Sequence, residues 1–599
     1  MSINRLLVAT ALSLSLAAVA ATPAAALSLT ALQASSSNNT LNNINNFVVI
    51  YLENRSFDNL FGTFPGANGI ANASAAAKAQ LPIATVGSTA LSGVNPINNA
   101  NLARTGSGTN ASPFVTPADP NFNSSIANGP WAVDANLTAA AANSAGTRYD
   151  PAKDVTGDLV HRFYEEQVQI NGGRMNQFIA GTHASPDAGG LVMSYYGQSV
   201  ASQLKLWNYA GTYVLLDNFF HGAFGGSFLN HAWLVCACAF TTDANYNPAN
   251  STKLDPAGTG MPQLPAIGPN PLSSSSGVTS FDGAATTDGR YWVNTSRAVA
   301  LRSATDTANG NLVQLQAQPH IGDRLNAAGL TWKWYSQWYK RANALSQAVI
   351  ANSTLSNGTY SVNTAATLND PAYSYPVVIN GVSYTDPQYA AWGNGLTINT
   401  FNGYVTGGAP GANPAISNLA NFTTALNFQW HHNPFAYFAD TAPGTAAAAA
   451  HLQDRDDLLV DIKNNTLPNV VFYKPGALVN MHPGYANLTN ADNEVDTIIK
   501  ALQTTNSWRN NQMMIIVTFD EHGGLWDHVT PPTRDSWGPG TRIPTLVVAP
   551  TALLKNSGGY IDHTAYDTTS ILSTIEQRWG LSPLTNADAN ATPLTGMLK

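Results

Sequence analysis

Five short apolar runs stand out along the chain: Phe47–Leu52, Tyr213–Leu216, Val470–Tyr473, Met513–Phe519 and Thr545–Ala549. Their hydrophobicity is continuous rather than alternating. That pattern predicts strands covered on both faces, as in a parallel sheet sandwiched by helices. The spaces between them read as helical, for example around Arg455–Asn464, Asp492–Thr505 and Thr569–Trp579. The fold class expected is therefore α/β, a layered sandwich around a mainly parallel central sheet.

Two long stretches interrupt this pattern. Residues from about Gly66 to Asn143 are rich in Ala, Asn, Ser and Gly without sustained periodicity, and read as a surface excursion. A second runs from Thr241 to about Leu426, broken by Trp332, Trp334, Tyr335, Trp338 and Tyr339, a patch that reads as local core. The chain opens with Arg5, an apolar run from Leu6 to Ala21 and the small residues Ala24, Ala25 and Ala26. This order predicts a secretory signal peptide over residues 1–26, an anchor helix being the alternative. The remainder, 27–599, is expected to be one catalytic domain with insertions near 66–143 and 241–426. The expected location is periplasmic or secreted, with no stable membrane anchoring, and the oligomeric state stays open.

The formal net charge of −8 falls to −9 once Arg5 leaves with the leader. No basic stripe is present to favour nucleic acid as a partner. The two cysteines, Cys236 and Cys238, are too few for a disulfide scaffold and lack zinc-type spacing. Buried thiols and one tight local disulfide both fit.

The candidate chemistry follows the strands. Phe47–Leu52 runs into Glu53-Asn54-Arg55-Ser56-Phe57-Asp58, and Met513–Phe519 runs into Asp520-Glu521-His522-Gly523-Gly524. Open α/β sheets bind ligands at the carboxyl ends of their strands, so two such clusters can converge on one site. Glu53, Asn54, Asp520 and Glu521 would offer hard oxygen ligands to a divalent cation. A third segment, His221-Gly222-Ala223-Phe224-Gly225-Gly226-Ser227, precedes a helix-compatible run. Ser227 is suited to the N-cap there, in the positive field of a helix end beside amides that can bind phosphate oxygens. It is not a G-x-S-x-G elbow, because Leu229 stands where the second glycine would be. His431-His432 and His482 sit among polar and turn residues, and imidazoles there could bind phosphate or protonate a leaving group.

ENRSFDNLFG at 53–62, NGGRMNQF at 171–178, GGSFLNH at 225–231 and FDEHGGLWDHV at 519–529 resemble the bacterial phosphoesterase family. So does HTAYDTTSILSTIEQRWGL at 563–581. That family holds phosphatidylcholine-type phospholipases C and the respiratory-burst-inhibiting acid phosphatases. The resemblance implies an alkaline-phosphatase-like core. It implies one divalent metal (calcium, magnesium, manganese or zinc) on Glu53, Asn54, Asp520, Glu521 and Ser227, with Ser227 as nucleophile. It also implies catalytic roles for His431, His432 and His482, with His161, Asn54, His432 and His482 binding the phosphate of a small ester substrate. Serine at 227 and this histidine set are more similar to the phosphatase branch, so an acid phosphatase acting through phosphoserine is the expected activity. A phospholipase C is the first alternative and a non-catalytic, metal-stabilised secreted binding protein the second. A sulfatase is disfavoured by the absence of C-x-P-x-R or S-x-P-x-R around Ser227.

Overall fold

The computed structural model describes residues 39–80, 129–136, 150–178, 191–241, 312–351, 376–385 and 428–599, except 151, 160, 485 and 557, together with short segments within 283–298 and 353–362. The segment expected to be a signal peptide, most of the first Ala/Asn-rich stretch and much of the second stretch lie outside the described residues. No helix among the described residues is long and apolar enough to cross a membrane.

Eight strands build the central sheet: β1 (Asn46–Leu52), β2 (Val214–Leu216), β3 (Trp332–Ser336), β4 (Leu452–Gln453), β5 (Val470–Lys474), β6 (Met513–Phe519), β7 (Thr545–Val548) and β8 (Tyr560–Asp562). Their order is β4-β3-β5-β1-β6-β7-β2-β8. Every pairing is parallel except the two made by β7. The sheet is thus mainly parallel, as the continuous apolar runs require. In β1, β5 and β6 every residue is buried, so helices and loops must cover both faces.

The helices that matter for the site are α1 (Phe57–Phe61), α2 (Phe163–Ile170), α3 (Lys205–Thr212), α4 (Ser227–Cys236), α5 (Arg455–Asn464), α6 (Leu488–Leu502) and α7 (Thr568–Trp579). Helix α4 packs against α7, while α3, α5 and α6 form a second packed group. The aromatic patch within 241–426 supplies β3, where Trp332, Trp334 and Tyr335 are fully buried in the sheet. Helix α6 starts four residues before the expected Asp492, because Asn487 caps it by accepting from the Asn490 N–H. Cys236 and Cys238 form a local disulfide at the end of α4.

Candidate active site

The three adjacent strands β5-β1-β6 deliver polar groups to one edge. Leu52 pairs with Phe519, so Glu53 and Asp520 leave the sheet side by side. The Asp520 N–H continues the ladder to Leu52 O at 3.0 Å, and the Asn54 N–H donates to Asp520 Oδ1 at 3.0 Å. Asn54 holds a left-handed backbone (φ +60°), which asparagine tolerates better than most residues. Gly523 is required opposite it, since a Cβ there would lie 2.5 Å from Asn54 O.

Ser227 is the first residue of α4, not its N-cap. Gly226 takes the cap position in extended conformation with no side-chain cap bond. This corrects the sequence expectation by one residue. The Ser227 hydroxyl is consequently not spent on capping and stands close enough to the buried Asp520 carboxylate to favour its ionised form, whose Oδ2 has no hydrogen-bond partner.

Two histidines are oriented by Asn54. Its Nδ2 donates to Nε2 of His161 at 3.1 Å and to Nε2 of His482 at 3.0 Å. His161 Nδ1 lies 2.5 Å from Leu159 O, and His482 Nδ1 meets Pro483 O. Both rings are therefore assigned a proton on Nδ1 and a lone pair toward Asn54. This leaves Asn54 Oδ1 buried without a hydrogen-bond partner. His432 Nδ1 is 2.7 Å from Glu53 Oε1, and its ring stacks on His231 at 5.0 Å. His431 stands beside His432, half-buried, with ring centroids 4.1 Å apart.

Electrostatics set these carboxylates apart. Glu53, Asp520 and Glu521 are all fully buried. Burial opposes ionisation of Glu53, but His432 and Lys474 outweigh it and hold the carboxyl well below the usual range. Burial, then Glu53, pushes Asp520 up to about 6. Burial and Asp520 push Glu521 well up, and Glu521 Oε1 has no hydrogen-bond partner. Burying carboxylates together is costly without a cation. A cluster of hard oxygens with orphaned Asn54 Oδ1 and Glu521 Oε1 fits a divalent metal. His231 adds a nitrogen donor, because His231, Glu53 and Asp520 place ligand atoms within 4.8 Å of one another.

All the site residues singled out from the sequence lie in this neighbourhood. Sequence reasoning missed Lys474, whose Nζ contacts Glu53 Oε1 and donates to Tyr51 O at 3.3 Å. A lysine closing an otherwise apolar strand was the available signal. It also missed Glu166 on α2, which nothing in the linear sequence ties to the nucleophile segment.

The family description "Phosphoesterase family" matches residues 44–375 and 393–582. Phospholipase C B of Mycobacterium tuberculosis is 31% identical over 190 residues, covering 28% of this chain and 35% of that protein. Non-specific phospholipase C6 of Arabidopsis thaliana is 32% identical over 130 residues, covering 18% and 24%. Non-hemolytic phospholipase C of Burkholderia pseudomallei is 29% identical over 195 residues, covering 28% and 27%. The chain thus spans about a third or less of the length of these curated relatives.

Proposed function

Because the chain belongs to the phosphoesterase family, we propose that it is an exported, metal-dependent hydrolase of phosphate monoesters acting at acid pH through a phosphoserine at Ser227. Hydrolysis of phosphoester bonds follows from the family. The finer reading is carried by one observation. The Ser227 hydroxyl, at the start of a ten-residue helix, stands beside the buried Asp520 carboxylate, three further oxygen-bearing side chains and the histidines.

A divalent cation held by Glu53, Asn54, Asp520, Glu521 and Ser227 would lower the pKa of the serine hydroxyl and neutralise phosphate charge. Ser227, at the start of α4, attacks phosphorus as the alkoxide, its proton having passed to bulk water, and leaves again as the alkoxide when the phosphoserine is hydrolysed. As the new Ser–O–P bond forms, the bond to the leaving alcohol breaks, and the alcohol takes a proton from a histidine. His482 is suited to that role. Its Nε2 carries no proton in the neutral ring, and burial lowers its pKa, so the proton-loaded donor gains population toward acid pH. Water then attacks phosphorus, returns a proton to His482, and frees Ser227 and inorganic phosphate. His161 and His432 would hold the phosphate oxygens, with the amides at the α4 N-terminus beside them. His431 is a second candidate donor.

The second reading is phospholipase C activity, favoured by the names of the curated relatives. The test is hydrolysis of p-nitrophenyl phosphate and of a phosphocholine diester by the metal-loaded protein from acid to alkaline pH, with Ser227→Ala alongside. Monoester turnover at low pH that disappears in Ser227→Ala is expected. Preferential diester cleavage would favour the second reading. Silence on both, with metal still raising thermal stability, would indicate a binding protein.

A further inference from the structure

Helix α2 carries a buried acid that the chemistry above does not use. Glu166 is fully buried, and its carboxylate makes four hydrogen bonds with three residues. Gly225 N–H donates to its Oε2 at 2.5 Å, and His221 Nε2 lies 2.8 Å from its Oε1. The Thr541 N–H and hydroxyl both donate to Oε1 at 2.8 Å. Two of these donors, His221 and Gly225, belong to the segment that ends at Ser227.

His221 is held from both sides. Its Nδ1 lies 2.7 Å from Ala223 O and 3.3 Å from Asn230 Oδ1, while Nε2 faces Glu166. Acceptors at both nitrogens call for an imidazolium, the natural partner of an ionised Glu166. The His221 ring stacks on His522 with centroids 5.3 Å apart and planes 8° apart. His522 follows the proposed metal ligand Glu521 directly, and its Nε2 meets Oε1 of Gln169, one turn along α2 from Glu166. Gln169 also donates to Gly524 O at 3.4 Å. One face of α2 thus grips the nucleophile segment through Glu166 and the Asp520–Gly524 turn through Gln169.

Steric closeness supports the same arrangement. Gly225 is left-handed at φ +92°, and a Cβ there would lie 2.5 Å from the Phe163 nitrogen in the first turn of α2. A Cβ on Gly226 would lie 2.9 Å from His161 O. The backbone ahead of Ser227 rests on α2 with no room for a side chain.

We propose that Glu166 is a positioning residue that sets Ser227 against the Asp520–Glu521 turn, through its bonds to Gly225 and His221. This rests on Ser227 being the nucleophile. Misplacing a reacting oxygen by a fraction of an ångström costs rate far more than binding. Glu166→Gln keeps the shape but offers one acceptor where the carboxylate offers two, so Gly225 and Thr541 must compete for it.

The test compares wild type, Glu166→Gln and Ser227→Ala, all metal-loaded, on p-nitrophenyl phosphate. It is paired with competition by inorganic phosphate and by vanadate, which takes a fifth bond from a well-placed hydroxyl. Expected for Glu166→Gln is a kcat lowered about 10- to 100-fold per metal-loaded site, with KM and phosphate inhibition within about threefold. Vanadate inhibition should weaken at least tenfold. Glu166→Asp, which keeps the charge with shorter reach, should recover part of the loss. It also carries the test if the amide variant folds poorly. An unchanged kcat, or a loss that merely tracks the folded fraction by circular dichroism, would overturn the proposal. If Ser227→Ala retains wild-type turnover, the nucleophile assignment fails first, and the positioning role falls with it.

Discussion

At the scale of single residues, the site is a balance of buried charge. Glu53 has Lys474 and His432 as counter-charges. Asp520 and Glu521 are raised by burial and by neighbouring carboxylates. Asp520, with an ordinary value of 3.8, sits at about 6 without a metal, above its unfolded value. Its contribution to stability is therefore fully present below about pH 4 and is lost as pH rises through about 6. Asp520→Asn removes that loss. The amide oxygen of this variant can still accept from the N–H groups of Asn54 and Glu521, the two bonds that Asp520 Oδ1 accepts at 3.0 and 2.8 Å. The chelated variant should thus melt higher than chelated wild type above pH 6 and equal it near pH 4, while losing most of its metal affinity. Differential scanning calorimetry with and without chelator checks both halves. A chelated variant that melts lower than wild type at pH 7 would mean that Asp520 is not destabilised there.

At the scale of elements, the same reasoning applies away from the site. Glu576 on α7 is buried near Asp588, and burial, then a hydrogen bond and repulsion from Asp588, push it up to about 9. A carboxyl so raised is stabilising while protonated. The packing of α7 on the short helix at Asn586–Ala589 should weaken as pH climbs from about 5 to 9. Glu576→Gln, whose amide can donate to Asp588, should flatten that decline and raise the melting temperature at pH 8. An identical pH slope in both proteins would refute it. Elements also differ in how far the chain announces them. Strands β1 and β6 were readable because seven buried residues in a row carry one polar side chain each, at or near a strand end, and leave a long continuous apolar run. Strand β3 was not, since Lys333 breaks its run, and only the fold reveals that this ammonium reaches Asp461 at 2.6 Å. The carboxylates proposed as metal ligands were readable as a candidate cluster because they follow buried strands directly. Glu166 was not, because its partners are 55 and 59 residues away and its helix resembles any amphipathic turn.

At the scale of the whole molecule, the site joins parts of the chain that are remote in sequence. Asn54 and Asp520 are 466 positions apart yet bonded, because β1 and β6 are neighbours in the middle of the sheet. A cation shared by their two segments binds the folded chain and has no equivalent in the unfolded one. At a hundredfold excess over its dissociation constant it would add about 2.7 kcal/mol. Chelation should therefore lower the melting temperature of the whole cooperative unit, and readdition of calcium, magnesium, manganese or zinc in turn should identify the metal by the largest recovery. Other clusters could mimic this effect. His320, Asp323 and Asp440 also bring ligand atoms within 4.8 Å of one another, with both carboxylates partly exposed. Asp440→Asn separates the two cases, since it should leave the metal-dependent shift intact while Asp520→Asn removes it. The reverse pattern would move the cation from the sheet edge to the surface, and with it the case for a metal-assisted Ser227.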